Sequence, residues 1–341
     1  MRPVLGRSAH SQMPSRNDVT VDVSAALPFE ERVSLAATVH LPDPRDEAPP
    51  AVLICWPGGS YARAYWDMQI PGHPGYSFAE DMTARGFVVL AADHLGVGAS
   101  SKPADGDRVD FDTMSAAAAS FVGQVRALIA DGSRELVGRS LPDVPVIGVG
   151  HSLGACLTVV TQARHRCYDA VALLGFTHGQ KEVAVAAAGA AERELLDDAA
   201  RRETAIEQAR AFFGDSWEDV YGLAPREPHH GWLYRPDVPA AVIAADDAAA
   251  TPWPRQPYVE ALLGGHSARF AAEIDCSVFL GFGDHDVPPL PHADVAYYPR
   301  SRDVTLYVLP ESAHCHNFAS TRALLWKRIG VWAAGRSAFS T

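Results

Sequence analysis

Apolar and polar positions alternate in blocks along this chain of 341 residues. Two opening runs, "VTVDVS" (19–24) and "RVSLAATVHL" (32–41), predict a first pair of strands. The next three, "AVLICW" (51–56), "FVVLAAD" (87–93) and "VPVIGVG" (144–150), are almost continuously apolar, as strands covered on both faces are. "YDAVALLGF" (168–176), "CSVFLGFG" (276–283) and "DVTLYVLP" (303–310) predict three more. Helical segments lie between them. Ser77 and Glu80 have the spacing of a capping box, with Gly86 placed to close that helix. Phe121, Val122, Val125, Leu128 and Ile129 repeat at helical spacing within 111–131. "LGACLTVVTQARH" follows the fifth strand, and "ALLWKRIGVWAAG" lies near the end. This alternation predicts an α/β fold with a mostly parallel central sheet flanked by helices.

One interval breaks the rhythm. Residues 177–273 separate two strands by far more chain than a loop needs, so they are expected to form a helical cap inserted over the sheet. The Ala-rich tract 184–211 is helical in composition, and Phe212, Phe213, Trp217, Tyr221, Trp232 and Trp253 are expected to make the cap's own core, with substrate contact by some of them left open. The resulting division is a flexible N-terminal segment 1–18, a core domain 19–176 plus 274–341, and the cap 177–273. No internal repeat is evident.

Composition narrows the classes of function. With 48% hydrophobic and 21% charged residues, the chain can bury a sizeable core. It has 29 basic against 41 acidic residues, a formal charge of -12, and no basic stripe, which argues against a nucleic-acid partner. The five cysteines are odd in number and widely spaced, so they read as buried or incidental thiols in a reducing compartment. The first residues, "MRPVLGRSAHSQMPSRNDVT", lack the apolar stretch of a signal peptide, and no run nears the roughly 18 apolar residues of a membrane span. A cytoplasmic protein with no membrane contact is expected.

The chemistry centres on Gly150-His151-Ser152-Leu153-Gly154, a G-x-S-x-G pattern set between a strand and a helix. In that context the glycines permit a sharp turn and the serine hydroxyl stands clear at the helix N-terminus; the plain alternative is a glycine-tolerant helix cap. A serine nucleophile needs a base within hydrogen-bond reach and a third group to orient that base.

Strand, motif and helix together resemble the α/β-hydrolase superfamily, serine esterase-like with an inserted cap, over about residues 30–335. The resemblance implies the chain order serine, acid, histidine. It points to Asp286 in "GFGDHDVPP" as the acid, with Asp284 second, and to His314 in "LPESAHCHNF" as the base, with His316 second or a polar residue on the site rim. Cys315 reads as packing. The resemblance implies backbone N–H donors for an oxyanion at Leu153 and in "WPGGSY", which is similar to the family's His-Gly-Gly-Gly loop with Pro57 for the histidine and Ser60 for the third glycine. Either Gly59 or Ser60 would donate. "DHLGVGASSKP" (93–103) matches a further family signature and reads as a tight loop beside the site.

Tyr61, His151 and His73 are pocket candidates, whereas His229 and His230 read as surface residues. No metal is expected, since His314 and His316 have no third ligand at a suitable spacing, and no organic cofactor is implied. The expected activity is hydrolysis of a carboxylic ester of a small to mid-sized, largely apolar organic substrate through an acyl-enzyme on Ser152. Lactonase, thioesterase, acyltransferase and carbon–carbon bond hydrolase use the same three residue types, and fold does not choose among them. A non-catalytic hydrolase-like ligand receptor is the alternative from another class. The expected partner is a small-molecule ester, with self-association into a homo-oligomer left open.

Overall fold

Backbone groups inside an apolar run must find partners, and here they pair into one sheet. A computed structural model describes residues 16–42, 48–133, 136–179, 198–263 and 265–336. Its strands are β1 (Arg16–Asp22), β2 (Ser34–His40), β3 (Val52–Trp56), β4 (Val88–Ala92), β5 (Val146–His151), β6 (Ala170–Leu174), β7 (Ser277–Gly283) and β8 (Val304–Leu309). Their order across the sheet is β1-β2-β4-β3-β5-β6-β7-β8. β1 and β2 pair antiparallel, β2 runs antiparallel to β4, and every pairing from β4 to β8 is parallel. β1 begins at Arg16, inside the stretch expected to be flexible; residues 1–15 of that stretch lie outside the described residues.

The parallel strands β3 to β7 are buried because helices cover both faces, whereas β8, at the edge of the sheet, is mostly half-buried. α1 (Phe78–Ala84), α2 (Phe111–Ala130), α3 (Leu153–His165) and α7 (Arg322–Ala334) supply the two layers. Successive strand residues feed opposite clusters, as a period of two requires. Ile54 and Leu90 join Phe121, Val125 and Val159 on the α2–α3 side. Leu53 and Val89 join Phe78, Met82, Trp326 and Ile329 on the α1–α7 side. The box at α1 is one-sided: Ser77 Oγ accepts from Glu80 N–H, but the Glu80 carboxylate binds Gln69 instead. α2 has the reciprocal box, between Asp110 and Thr113.

Between β6 and β7 the described chain holds α4 (Asp198–Phe213), a helical turn His230–Leu233, α5 (Ala240–Ala248) and α6 (Gln256–Leu262). The earlier part of the Ala-rich tract lies outside the described residues. Phe213 and Trp217 pack together there, at 6.1 Å between ring centroids. Two other aromatics expected in a separate cap core reach the sheet domain instead. Trp253 donates its indole N–H to the Tyr61 carbonyl at 2.8 Å and packs on His94, and the Tyr221 hydroxyl donates to the Pro103 carbonyl at 2.7 Å. Among the described residues no helix is long and apolar enough to cross a membrane.

Candidate active site

Strand β5 ends in a turn that only small neighbours allow. A Cβ on Gly150 would lie 2.5 Å from the Gly154 carbonyl oxygen, and one on Gly154 would run into the carbonyl oxygens of Trp56 and Pro57. Ser152, between them, has φ 53° and ψ −122°. A non-glycine residue held there stores of order 1–3 kcal/mol, which the surrounding packing must hold. Its amide helps, donating to the Leu174 carbonyl at 2.7 Å. The hydroxyl is thereby fixed at the N-terminus of α3.

The loops after β7 and β8 meet the same point. Gly283 lets them touch, since a Cβ there would collide with the Ser312 and Ala313 carbonyl oxygens. Asp284 ties the two loops together by accepting the amides of Glu311 and Ser312, each at 2.9 Å, and its carboxylate is spent on that work. Asp286 faces inward. Its Oδ1 accepts from His314 Nδ1 and from Val287 N–H, both at 2.7 Å. With that proton placed, His314 Nε2 is the acceptor for the Ser152 hydroxyl at 2.9 Å. The structure thus joins Ser152, His314 and Asp286 in one hydrogen-bonded chain.

His316 is not on the rim. It is wholly buried behind the carboxylate, with Nε2 2.6 Å from Asp286 Oδ2. Burial alone would raise the Asp286 carboxyl, but the facing His314 and His316 and their hydrogen bonds hold it far below the usual range. Cys315, between the two histidines, does more than pack: its Sγ lies 3.2 Å from the Tyr61 hydroxyl. Burial pushes its thiol up to about 12, so it stays protonated.

A cavity of about 310 Å³ opens over Ser152. Gly58, Gly59, Ser60, Tyr61, Leu153 and Phe176 line its floor, and Gln208, Phe212, His229, Trp232 and Tyr258 line it from the β6–β7 connection. Most of this wall is apolar. Gly58 O accepts the Tyr61 amide at 3.2 Å to close a tight turn, in which Ser60 takes φ 64°. Ser60 Oγ lies 3.1 Å from the Tyr258 hydroxyl, which a Cβ on Gly59 would overlap. Gly59, Ser60 and Leu153 therefore all border the space beside the serine.

The three pocket candidates divide. Tyr61 and His151 line the cavity; His73 does not, being held in the turn where its amide donates to Ile70 O. His151 serves mainly as a brace. Its Nε2–H donates to the His314 carbonyl at 2.8 Å, its ring stacks on Tyr65, and burial followed by repulsion from His314 and His316 keeps it neutral. His229 is a wall residue, not a surface one, stacked on Phe212 with 4.6 Å between centroids. His230 binds Asp247 at 3.0 Å.

One cluster had no signal in the sequence. Arg226 and Asp246, both buried, form an ion pair, and the hydroxyls of Tyr61 and Tyr234 bind the same carboxylate oxygen. Burial raises the Asp246 carboxyl to about 6 against the opposing pull of Arg226. Arg226 also borders the cavity, so the pair ties the cavity wall to the sheet domain through Tyr61. In the signature loop after β4, Asp93 accepts from Arg63 and from Ala99 N–H, and Gly98 gives it room.

The model of the alpha/beta hydrolase family matches residues 52–325. Similar solved structures include a thermophilic esterase from Thermogutta terrifontis, at 14% identity and TM-score 0.61 over 94% of this chain and 99% of that one. A soluble variant of monoglyceride lipase from Saccharomyces cerevisiae matches at 11% identity and TM-score 0.64, over 96% and 97% of the two chains. A bromoperoxidase from Bacillus anthracis matches at 14% and 0.60, over 93% and 99%. At these identities the likeness is one of fold. No curated protein sequence matches the chain.

Proposed function

The chain belongs to the alpha/beta hydrolase family, and on that premise we propose that it is a serine hydrolase cleaving a carboxylic ester of a small to mid-sized, largely apolar substrate. The observation that carries the reading is the unbroken chain Ser152 Oγ, His314 and Asp286, at 2.9 and 2.7 Å, ending on the floor of a cavity of about 310 Å³.

In the first step His314 Nε2 takes the hydroxyl proton as Ser152 Oγ attacks the ester carbonyl. The imidazolium that forms donates from Nδ1 to Asp286, whose carboxylate stays ionised. Negative charge gathering on the carbonyl oxygen is met by the amide of Leu153 and by that of Gly59 or Ser60. Donors already aimed at that charge in a dry pocket are worth several kcal/mol, about 3–4 for a single one. His314 then protonates the leaving alcohol, and the acyl group stays on Ser152. A water deprotonated by His314 attacks the acyl-enzyme and releases the acid.

The cavity supports the substrate class. Its volume lies near the lower end of the usual range for small-molecule sites, and aromatic walls favour an apolar acyl or alcohol group. The test is hydrolysis of p-nitrophenyl acetate, butyrate and octanoate by the wild type and Ser152→Ala, with a fluorophosphonate mapped by mass spectrometry. Label on Ser152, with turnover abolished in the alanine variant, is the expected result. Equal rates in both proteins and an unlabelled Ser152 would overturn the proposal.

A further inference from the structure

A carboxylate bound by one imidazole keeps a second oxygen, and here a second imidazole occupies it. Asp286 Oδ1 has His314 Nδ1 and the Val287 amide; Oδ2 has His316 Nε2 at 2.6 Å and the Gly283 amide at 3.1 Å. An ionised carboxylate can only accept, so His316 Nε2 carries the proton. The Gly283 amide, also 3.1 Å from that nitrogen, then belongs to the carboxylate. His316 Nδ1 is buried and without a hydrogen-bond partner. A phenylalanine or leucine in that space would carry no such cost, so packing alone does not account for a histidine.

The groups around His316 leave it one charged contact. His151, at the end of β5, faces it edge-on at 5.4 Å and is held neutral by burial. Tyr65, stacked on His151, and Cys315, on the same loop, are both kept protonated by burial. His314 is the remaining neighbour, 6.4 Å between ring centroids, and Asp286 is the only ionised one among the described residues.

We propose that His316 is a positioning residue for the reaction, holding Asp286 Oδ2 so that the carboxylate presents Oδ1 to His314 in one rotamer and divides its charge between two imidazoles. The inference rests on the serine-hydrolase reading above. Its two effects are separable. Fixing the rotamer keeps His314 aimed at Ser152 and raises the rate. Dividing the charge weakens the stabilisation of the imidazolium that forms on His314 in the reaction, which is read in the acid limb of the pH–rate profile.

The rate of Ser152 labelling by a fluorophosphonate, measured against pH, tests this without knowledge of the substrate. His316→Phe removes the donor: the plateau rate should fall roughly three- to thirty-fold and the acid limb should rise by about half to one pH unit. His316→Gln, whose amide can reach Oδ2, should return both towards wild type, whereas His316→Asn, too short to reach, should resemble the phenylalanine variant. Melting curves identify any variant that is misfolded, and the Gln–Asn contrast then stands alone. An acid limb unmoved in all folded variants, or equal impairment in Gln and Asn, would overturn the inference and leave the serine-hydrolase reading intact. An unlabelled wild type at every pH would overturn both.

Discussion

Trp232 touches His314 twice: its indole ring lies 4.8 Å from the imidazole, and its carbonyl accepts the His314 amide at 3.2 Å. The wall of the cavity is therefore bonded to the proposed base, His314. Trp232→Ala deletes the ring contact and keeps the main-chain bond. We expect kcat/KM on p-nitrophenyl butyrate to fall about ten-fold, with KM rising more than kcat falls. A loss confined to kcat would mean that the ring orients the imidazole and does not bind substrate.

The glycines of the turn are not equivalent to glycines elsewhere. Gly154→Ala forces a Cβ onto the backbone of Trp56 and Pro57 and should cost about 3 kcal/mol or more in urea denaturation. Gly123, in α2, has nothing within 4 Å of an added Cβ, and Gly123→Ala should stabilise by about 0.5–1 kcal/mol. Equal effects at the two sites would contradict the close approach that positions Ser152.

Removing one member of a buried ion pair strands the other. Asp246→Ala leaves the buried Arg226 guanidinium with two tyrosine hydroxyls and the more distant, partly exposed Asp247 carboxylate, 3.5 Å from its Nε, and should cost about 3–5 kcal/mol. The double variant Arg226→Met with Asp246→Leu should be the more stable protein. If the double loses as much as the sum of the singles, the two residues are not coupled.

Glu260 links stability to pH. Burial first, then repulsion from Asp110 and Asp112, lifts its carboxyl from 4.5 to about 7, although it accepts the Phe111 amide at 2.7 Å. Because the folded value is the higher one, its contribution is complete below about pH 4.5 and is lost as pH rises through 7. Glu260→Gln keeps an acceptor for Phe111 and carries no charge. Urea midpoints should match wild type near pH 4.5 and exceed it at pH 8 by an amount worth about 1–3 kcal/mol. A constant difference across that range would show that the charge is not responsible.

What could be read in advance followed from local chemistry. β3 to β7 announce themselves as apolar runs because both their faces are covered, and Ser152 because its two glycines are required by the turn itself. Asp286 and His314 follow strand ends in the order that the resemblance to the α/β-hydrolase superfamily implies, and it is that resemblance that puts them ahead of Asp284 and His316. The inward place of His316 could not be read, because which way the second histidine of "HCH" faces depends on the turn after β8. Arg226 and Asp246 stand 20 residues apart on segments with no shared period, and only folding brings them together. The pocket wall was illegible for a related reason: Phe212 faces a cavity and Phe213 a core from adjacent positions, and neighbouring helical positions carry no mark saying which face meets substrate.

The hydrogen bond from Ser152 to His314 spans 162 residues of chain, and that from His314 to Asp286 spans 28. Contacts so distant in sequence form only after slow, large-loop closures, whereas helices and neighbouring turns form early. In a refolding reaction, ellipticity should therefore return before labelling at Ser152 does. On the proposed reading, Ser152 becomes reactive only when strands β5, β7 and β8 have taken their places, so its labelling would be a clock for the last stage of assembly.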